Sequence, residues 1–285
     1  MIYTDRLSPF VWHMQIHGHE FGVRWYGLAY LLGFFLMYLF YRQAALRAMV
    51  PGFTLEDVDS LALRIVLGVM IGGRLGFVIQ HPVRLIHDPL FLIAIWQGGM
   101  AYFGGLAGVI LAIWTYSRQH KIGFLALTDV CAIPTPLALG IGRLANFVNG
   151  ELYGRPTHAG WGVIFPRVDL QPRHPSQLYE AASHLLLFII LFALYNWRRG
   201  KIRPGGLSFL FLAGYGVLRF ITDFWRQDDV YWGPFSDGQW FSLGIAVGGL
   251  IALYVWSRYT ARAQSTPAPT TNEKRGETAP GSELR

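Results

Sequence analysis

The chain has 285 residues, of which 53% are hydrophobic and only 14% are charged. Soluble domains carry about 25% charged residues, so this composition excludes an ordinary soluble domain and indicates an all-α polytopic membrane protein. The net charge of +7 lacks the basic stripe of a nucleic-acid-binding protein, and the single cysteine, Cys131, excludes an internal disulfide or a thiolate metal cluster.

Seven apolar segments are long enough to be transmembrane helices, which take about 20 residues each. They cover residues 25–41, 60–80, 89–116, 124–145, 177–197, 205–225 and 237–257. The third contains glycine pairs at 98–99 and 104–105, so we expect a break or kink in it. We predict an N-terminal arm (1–24), a transmembrane domain (25–258) and a disordered tail (259–285) rich in Ser, Thr and Pro.

The basic residues of the loops predict the orientation in the membrane. All three lysines (Lys121, Lys201 and Lys274) lie on the side of the C-terminus, and arginines are denser there. Because cytoplasmic loops carry the excess of basic residues, we expect a cytoplasmic C-terminus and an extracytoplasmic N-terminus. The longest loop, 146–176, is then extracytoplasmic, and its apolar residues predict a small ordered head.

The end of the fourth span is unusually polar. Residues 142–155 contain two arginines, two asparagines and a glutamate. Polar and ionisable groups at bilayer depth are costly and usually mark a functional site. A snorkelling arginine at the helix end would explain Arg143, but it leaves the other polar residues unexplained.

The sixth span carries a second polar group. Tyr215, Arg219 and Asp223 follow one another at intervals of four residues, which places them on one helix face, and Arg226 follows. Arg74 of the second span is expected at the same end of the membrane domain. A structural ion pair between Arg219 and Asp223 is one interpretation of this group.

The other interpretation is an anion site. Guanidinium groups suit phosphate, and the most abundant phosphate at a membrane surface is a lipid headgroup. We therefore expect a site for an anionic phospholipid. A transporter of an anionic solute is disfavoured because no internal repeat is visible in the sequence.

Residues 142–151 closely resemble the signature of the bacterial phosphatidylglycerol–prolipoprotein diacylglyceryl transferase family. Further motifs of that family follow in its order over about residues 20–260. They are residues 25–27, 72–76, 98–100 with 104–105, 173–180 and 214–216, and then Arg219 and Arg226.

The resemblance implies a reaction. The family moves the diacylglyceryl group of phosphatidylglycerol to the lipobox cysteine thiol of a preprolipoprotein, so that a thioether forms and glycerol phosphate leaves. The expected partners are phosphatidylglycerol, the signal peptide with its lipobox cysteine, and membrane lipids. Neither a metal nor a dissociable cofactor is implied.

The resemblance also implies roles for individual residues. Arg143 would hold the phosphatidylglycerol headgroup, and Arg219 would be the second essential arginine. Glu151 would join these two in catalysis. The remaining residues implied in substrate binding are Asn146, Tyr26, Arg226 and Gly154.

The chain departs from the family at Phe103, where well-studied relatives carry a histidine proposed as the base. Three interpretations stay open. In the first, the positive charge of the arginines alone lowers the pKa of the thiol. In the second, another group such as His174 or Tyr102 is the base. In the third, the chain is a less active or inactive member. The last corresponds to a phospholipid-binding protein of lipoprotein biogenesis without catalysis. At Asp223, where relatives often have glutamate, the charge is kept.

Overall fold

A computed structural model describes residues 3–16, 19–94, 98–197, 203–227 and 230–265. Within these residues the chain forms nine α-helices: α1 (Trp25–Leu46), α2 (Leu55–Ile79), α3 (Pro82–His87), α4 (Tyr102–His120), α5 (Phe124–Ala132), α6 (Pro134–Asn149), α7 (Ser176–Trp197), α8 (Gly206–Thr222) and α9 (Asp237–Ser265). The short strands are β1 (Tyr3–Thr4), β2 (Phe10–Ile16), β3 (His19–Arg24), β4 (Val163–Ile164), β5 (Pro172–Arg173), β6 (Tyr231–Trp232) and β7 (Phe235–Ser236).

The all-α polytopic architecture is confirmed. Six helical segments of the described chain are long and apolar enough to cross a membrane, with α5 and α6 counted together as one segment, 124–149. Only 11% of the apolar window of α1 is buried inside the protein, so most of its apolar surface faces outward, as lipid contact requires. The predicted number of seven spans is not confirmed, because α4 is not among the six.

The third predicted span, 89–116, is not one helix. Pro89–Leu92 forms a single 3-10 turn, and α4 begins only at Tyr102. Between them Gly98 and Gly99 have φ angles of +75° and +86°, a left-handed conformation that glycine adopts without steric cost. The glycine pair therefore redirects the chain shortly before α4 begins.

Arg74 stabilises this irregular segment. Its guanidinium group is buried and donates hydrogen bonds to the backbone carbonyl oxygens of Phe91, Leu92, Gly98 and Gly99. Because these carbonyls occupy its donors, Arg74 holds the backbone of the loop. The expectation that it joins the other arginines at an anion site is not supported by these contacts.

The structure describes most of the predicted arm and the first residues of the predicted tail. Strands β2 and β3 pair as an antiparallel hairpin that leads directly into α1, so part of the predicted arm is ordered. At the other end α9 continues to Ser265, into the predicted tail 259–285. Residues 266–285 of that tail lie outside the described part of the chain.

A carboxylate from α5 caps α8. Asp129 accepts hydrogen bonds from the backbone N–H groups of Gly205 and Ser208, both at 2.8 Å, and from the Ser208 hydroxyl at 2.6 Å. These N–H groups have no partner within the helix, so the cap fixes the start of α8 against α5. The cap thereby helps to set the position of the polar residues further along α8.

Helices α2 and α4 pack through glycines. Gly68 and Gly72 of α2 meet Gly108 and Gly104 of α4, and a Cβ atom at Gly108 would clash with the carbonyl oxygen of Gly68. Such small residues let membrane helices approach to backbone contact. The pairing holds α4, and with it Tyr102, in a fixed place beside α2.

This contact predicts a stability effect. We expect Gly108→Ala to lower the free energy of unfolding by about 1–3 kcal/mol, because the added methyl group overpacks the helix contact. Thermal unfolding in detergent measures the change. Gly248→Ala on α9 is the control, since no atom lies within 4 Å of the new methyl, and it should be neutral or stabilising by about 0.5–1 kcal/mol. Equal effects of the two substitutions would contradict the proposed importance of the α2–α4 contact.

Candidate active site

A fully buried carboxylate, Glu180 of α7, joins two of the predicted arginines. Arg143 of α6 approaches it with Nε at 2.6 Å from Oε2, and Arg219 of α8 with Nη1 at 2.7 Å from Oε1. Three helices therefore meet at one acidic side chain, whose exposed fraction is 0%. The arginines predicted from separate segments are brought together by this residue.

The start of α7 is anchored so that Glu180 reaches α6. The buried side chains of Ser176 and Gln177 donate hydrogen bonds to the backbone carbonyls of Leu152 and Glu151, at 3.0 and 2.7 Å. Those carbonyls follow directly after α6. The anchoring fixes the first turn of α7 beside the end of α6, and Glu180 follows one turn later.

A second acidic residue and a third arginine complete the group. Arg219 Nη2 lies 2.8 Å from Oδ1 of Asp223, which is also fully buried. Arg226 Nη1 lies 3.8 Å from Oε1 of Glu180. The predicted ion pair between Arg219 and Asp223 is therefore present, but within a larger group. We call the five residues the arginine cluster: Arg143, Glu180, Arg219, Asp223 and Arg226.

The arginine cluster carries an excess of positive charge. It contains three guanidinium groups and two buried carboxylates, so the formal charges of these five residues sum to +1. Buried charges are costly unless they are paired. The cluster is therefore suited to a singly charged anion, such as a phosphodiester.

Asn146 and Glu151 extend the cluster toward the head. Arg143 Nη1 donates to Oδ1 of Asn146 at 3.4 Å, and Asn146 Nδ2 donates to Oε2 of Glu151 at the same distance. Asn149 Nδ2 donates to the other carboxylate oxygen of Glu151, also at 3.4 Å. Asn146 is buried and Glu151 is exposed, so these long hydrogen bonds link Arg143 to the surface.

Gly154 lies where backbone segments cross. It forms an antiparallel bridge with Arg226, and its N–H donates to the carbonyl oxygen of His174 at 2.9 Å. A Cβ atom here would clash with the carbonyl oxygens of His174 and Trp225. Glycine at this position therefore allows the head to pack against the segment that carries Arg226.

The two predicted tyrosines lie in the first turns of α1 and α4. The hydroxyl of Tyr26 on α1 lies 3.3 Å from that of Tyr30, and their ring centroids are 5.0 Å apart. The ring of Tyr102 on α4 packs edge-to-face against that of Phe103, with centroids 5.4 Å apart.

His174 lies in the head. Its Nδ1 is 3.1 Å from the hydroxyl of Tyr179, which also accepts a hydrogen bond from Trp161 Nε1 at 2.9 Å. Partial burial lowers the pKa of the His174 imidazole, so the ring is neutral at pH 7. The hydrogen bonds of His174 within the described residues include none to the arginine cluster.

Phe103 is half exposed in the first turn of α4. Its ring packs edge-to-face against Phe241 of α9 and against Tyr102, with centroids 5.1 and 5.4 Å apart. This side chain makes aromatic contacts and has no group that can accept a proton.

Sequence reasoning missed the central residue of the site. Glu180 was noticed only as the last letter of the motif 173–180, and no role was assigned to it. Glu180 could have been identified as a carboxylate near the start of an apolar helix, because ionisable groups in membrane spans usually pair with other charged groups. No role was predicted from the sequence for His184 either, one turn later on α7.

Comparison with known proteins identifies similar chains. The family model of prolipoprotein diacylglyceryl transferase matches residues 13–256. A protein of Geobacter sulfurreducens is 46% identical over 242 residues, which cover 82% of this chain and 91% of that protein. One of Nitrosomonas europaea is 43% identical over 260 residues, covering 89% and 92%. Both are named phosphatidylglycerol–prolipoprotein diacylglyceryl transferase.

Proposed function

The chain belongs to the prolipoprotein diacylglyceryl transferase family, and from that premise we propose that the arginine cluster binds the phosphate of its lipid substrate. The protein is a transferase that moves the diacylglyceryl group of phosphatidylglycerol to a prolipoprotein. What remains to be assigned is how its own residues perform this transfer.

The observation that carries the proposal is the charge of the arginine cluster. The phosphodiester of phosphatidylglycerol has one negative charge, which matches the one positive charge in excess among the buried groups. Arg143 and Arg219 have their guanidinium groups aligned by Glu180 and retain 20% and 13% side-chain exposure. Their outer N–H groups are therefore available to the phosphate oxygens.

The acceptor is the thiol of the lipobox cysteine. The sulfur forms a bond to the glyceryl carbon that bears the phosphate, the carbon–oxygen bond breaks, and glycerol phosphate leaves with the bonding electrons. Negative charge grows on the phosphate oxygen as this bond breaks. Arginines already aligned around it stabilise that charge without reorganisation, which is the most effective form of electrostatic catalysis.

Asn146, Glu151 and Tyr26 act by positioning. The hydrogen bonds from Arg143 through Asn146 to Glu151 hold the arginine and offer polar atoms to the glycerol of the headgroup. Correct alignment of the reactants contributes up to about 7–11 kcal/mol to catalysis. These side chains therefore need no proton-transfer role.

We further propose that the protein lies in the bacterial cytoplasmic membrane with the head outside and the C-terminus in the cytoplasm. The supporting observation is the distribution of lysine and arginine among the loops. A C-terminal reporter enzyme that is active only outside the cytoplasm would contradict this orientation if it showed activity.

The test of the function is reconstitution. Purified protein is mixed with phosphatidylglycerol vesicles and a peptide that contains a lipobox cysteine, and the product is identified by mass. We expect a diacylglyceryl thioether peptide, and none when the cysteine is replaced by serine. Binding of phosphatidylglycerol without product would instead favour the catalytically inactive alternative suggested by Phe103.

A further inference from the structure

A histidine that the reaction above does not use lies inside α7. His184 is 4% exposed and follows Glu180 by one helical turn. Its Nδ1 lies within hydrogen-bond distance of the backbone carbonyl oxygen of Glu180. Ionisable residues at this depth in a membrane helix are rare and usually functional.

The contact with Glu180 fixes the tautomer of the ring. A carbonyl oxygen only accepts hydrogen bonds, so Nδ1 must carry the proton. In the neutral ring Nε2 then has the lone pair, and it forms no hydrogen bond within the described residues. His184 is therefore oriented as a proton acceptor through Nε2.

The surroundings of His184 join it to the arginine cluster. The imidazole lines a narrow cleft between α7 and α8 together with Ser183, Tyr215 and Arg219. Its ring centroid is 5.7 Å from that of Tyr215. The charged groups that act on it are Glu180 of its own helix, Arg143 of α6 and Arg219 of α8.

His184 lies deeper along α7 than Glu180, on the side where the glyceryl carbons of a bound lipid would lie. Glu180 and His184 lie four and eight residues after the first residue of α7, roughly 6 and 12 Å along the helix axis. A lipid whose phosphate is bound at Glu180 directs its glyceryl carbons and acyl chains further into the bilayer. His184 is one turn further in, at the level where the glyceryl carbon is attacked.

We propose that His184 Nε2 accepts the proton of the acceptor thiol. This inference rests on the proposed function. The S–H proton moves to Nε2, the thiolate forms the sulfur–carbon bond, and glycerol phosphate leaves. The imidazolium then returns its proton to the leaving phosphate or to water, and the neutral ring is restored.

Other groups are less suited to this role. Phe103 cannot hold a proton, and His174 is engaged by Tyr179 in the head. Tyr102 is a phenol, whose ordinary pKa of about 10 keeps it protonated at neutral pH. Among these candidates, only His184 combines a neutral imidazole, a fixed tautomer and contact with the cleft beside Arg219.

The experiment compares purified wild-type protein with His184→Gln and His184→Ala in the thioether assay from pH 5.5 to 9. We expect His184→Gln to lower kcat by at least about 100-fold, as loss of a general base does, with KM for phosphatidylglycerol changed less than about threefold. Free imidazole should partly restore His184→Ala. The matched control is His158→Gln, at an exposed histidine of the head, which should keep the wild-type rate.

The pH profile of the wild-type enzyme gives a test without substitutions. If an imidazole accepts the proton, kcat/KM should rise with pH at first and reach its plateau by about pH 7.5. If the thiol ionises without a base, kcat/KM should continue to rise until the pH approaches the pKa of the thiol, about 8.5. That continued rise, or a wild-type kcat in His184→Gln, would overturn the proposal. A wild-type enzyme that forms no product at any pH would instead contradict the proposed function.

Discussion

Replacement of Arg143 by alanine is expected to abolish diacylglyceryl transfer, with turnover at least about 100-fold below wild type. The side chain would supply N–H donors to the phosphate, and its Nε is held by Glu180 at 2.6 Å. Without it the lipid phosphate loses a charged partner, and the leaving oxygen loses its stabilisation. Initial rates of thioether formation measure the effect.

Two further variants make this prediction specific. Arg143→Lys keeps the charge but not the planar fork of donors, so we expect it to recover only part of the activity. Arg64→Gln removes a half-buried arginine that is hydrogen-bonded to Gln119 on α4 and is not part of the arginine cluster, and it should keep the wild-type rate. A wild-type turnover in Arg143→Ala would show that the phosphate is bound elsewhere.

Glu180→Gln is expected to impair both folding and catalysis. The amide is neutral and leaves Arg143, Arg219 and Arg226 close together without their shared counter-charge. Removal of one partner from a buried ion pair costs about 3–5 kcal/mol, and the arginines would no longer be aligned for the phosphate. We expect a large fall in the unfolding temperature in detergent and a loss of turnover of at least about 100-fold.

Asp169→Asn is the matched control for this substitution. It also changes a carboxylate that contacts an arginine, since Asp169 Oδ2 lies 2.5 Å from Nη2 of Arg173, but this pair is near the surface of the head. Asp169 keeps 31% side-chain exposure, against 1% for Glu180, so water can hydrate the substituted group, and stability and activity should change much less. If Glu180→Gln were as mild as this control, Glu180 would not organise the site.

Much of the fold can be predicted from the sequence, because a bilayer restricts which segments can span it. Each apolar segment must span a fixed thickness and satisfy its backbone within a helix, so most of the helices could be located. The same cost of burying charge made Arg143, Arg219 and Asp223 stand out. Three or more cationic side chains around one region already indicated that the region binds an anion.

Local interruptions were harder to predict. The apolar run 89–116 was counted as one span with an expected break or kink at its glycine pairs, but apolar composition does not reveal which glycines take left-handed conformations. The structure divides it at Gly98 and Gly99 and assigns Arg74 to the backbone carbonyls of that loop. An arginine beside a membrane helix looks the same in sequence whether its partner is a ligand or the chain itself.

The sequence by itself determined the class of protein, the location of most spans, the basic residues of the site and the resemblance to a transferase family. Only the tertiary structure decided that Glu180 joins Arg143 to Arg219 and that His184 lies beside them. Arg143, Glu180 and Arg219 are separated by 37 and 39 positions along the chain, and their partnership depends on how α6, α7 and α8 pack. Hydropathy is a property of each segment alone, whereas the pairing of buried charges is a property of the assembled bundle.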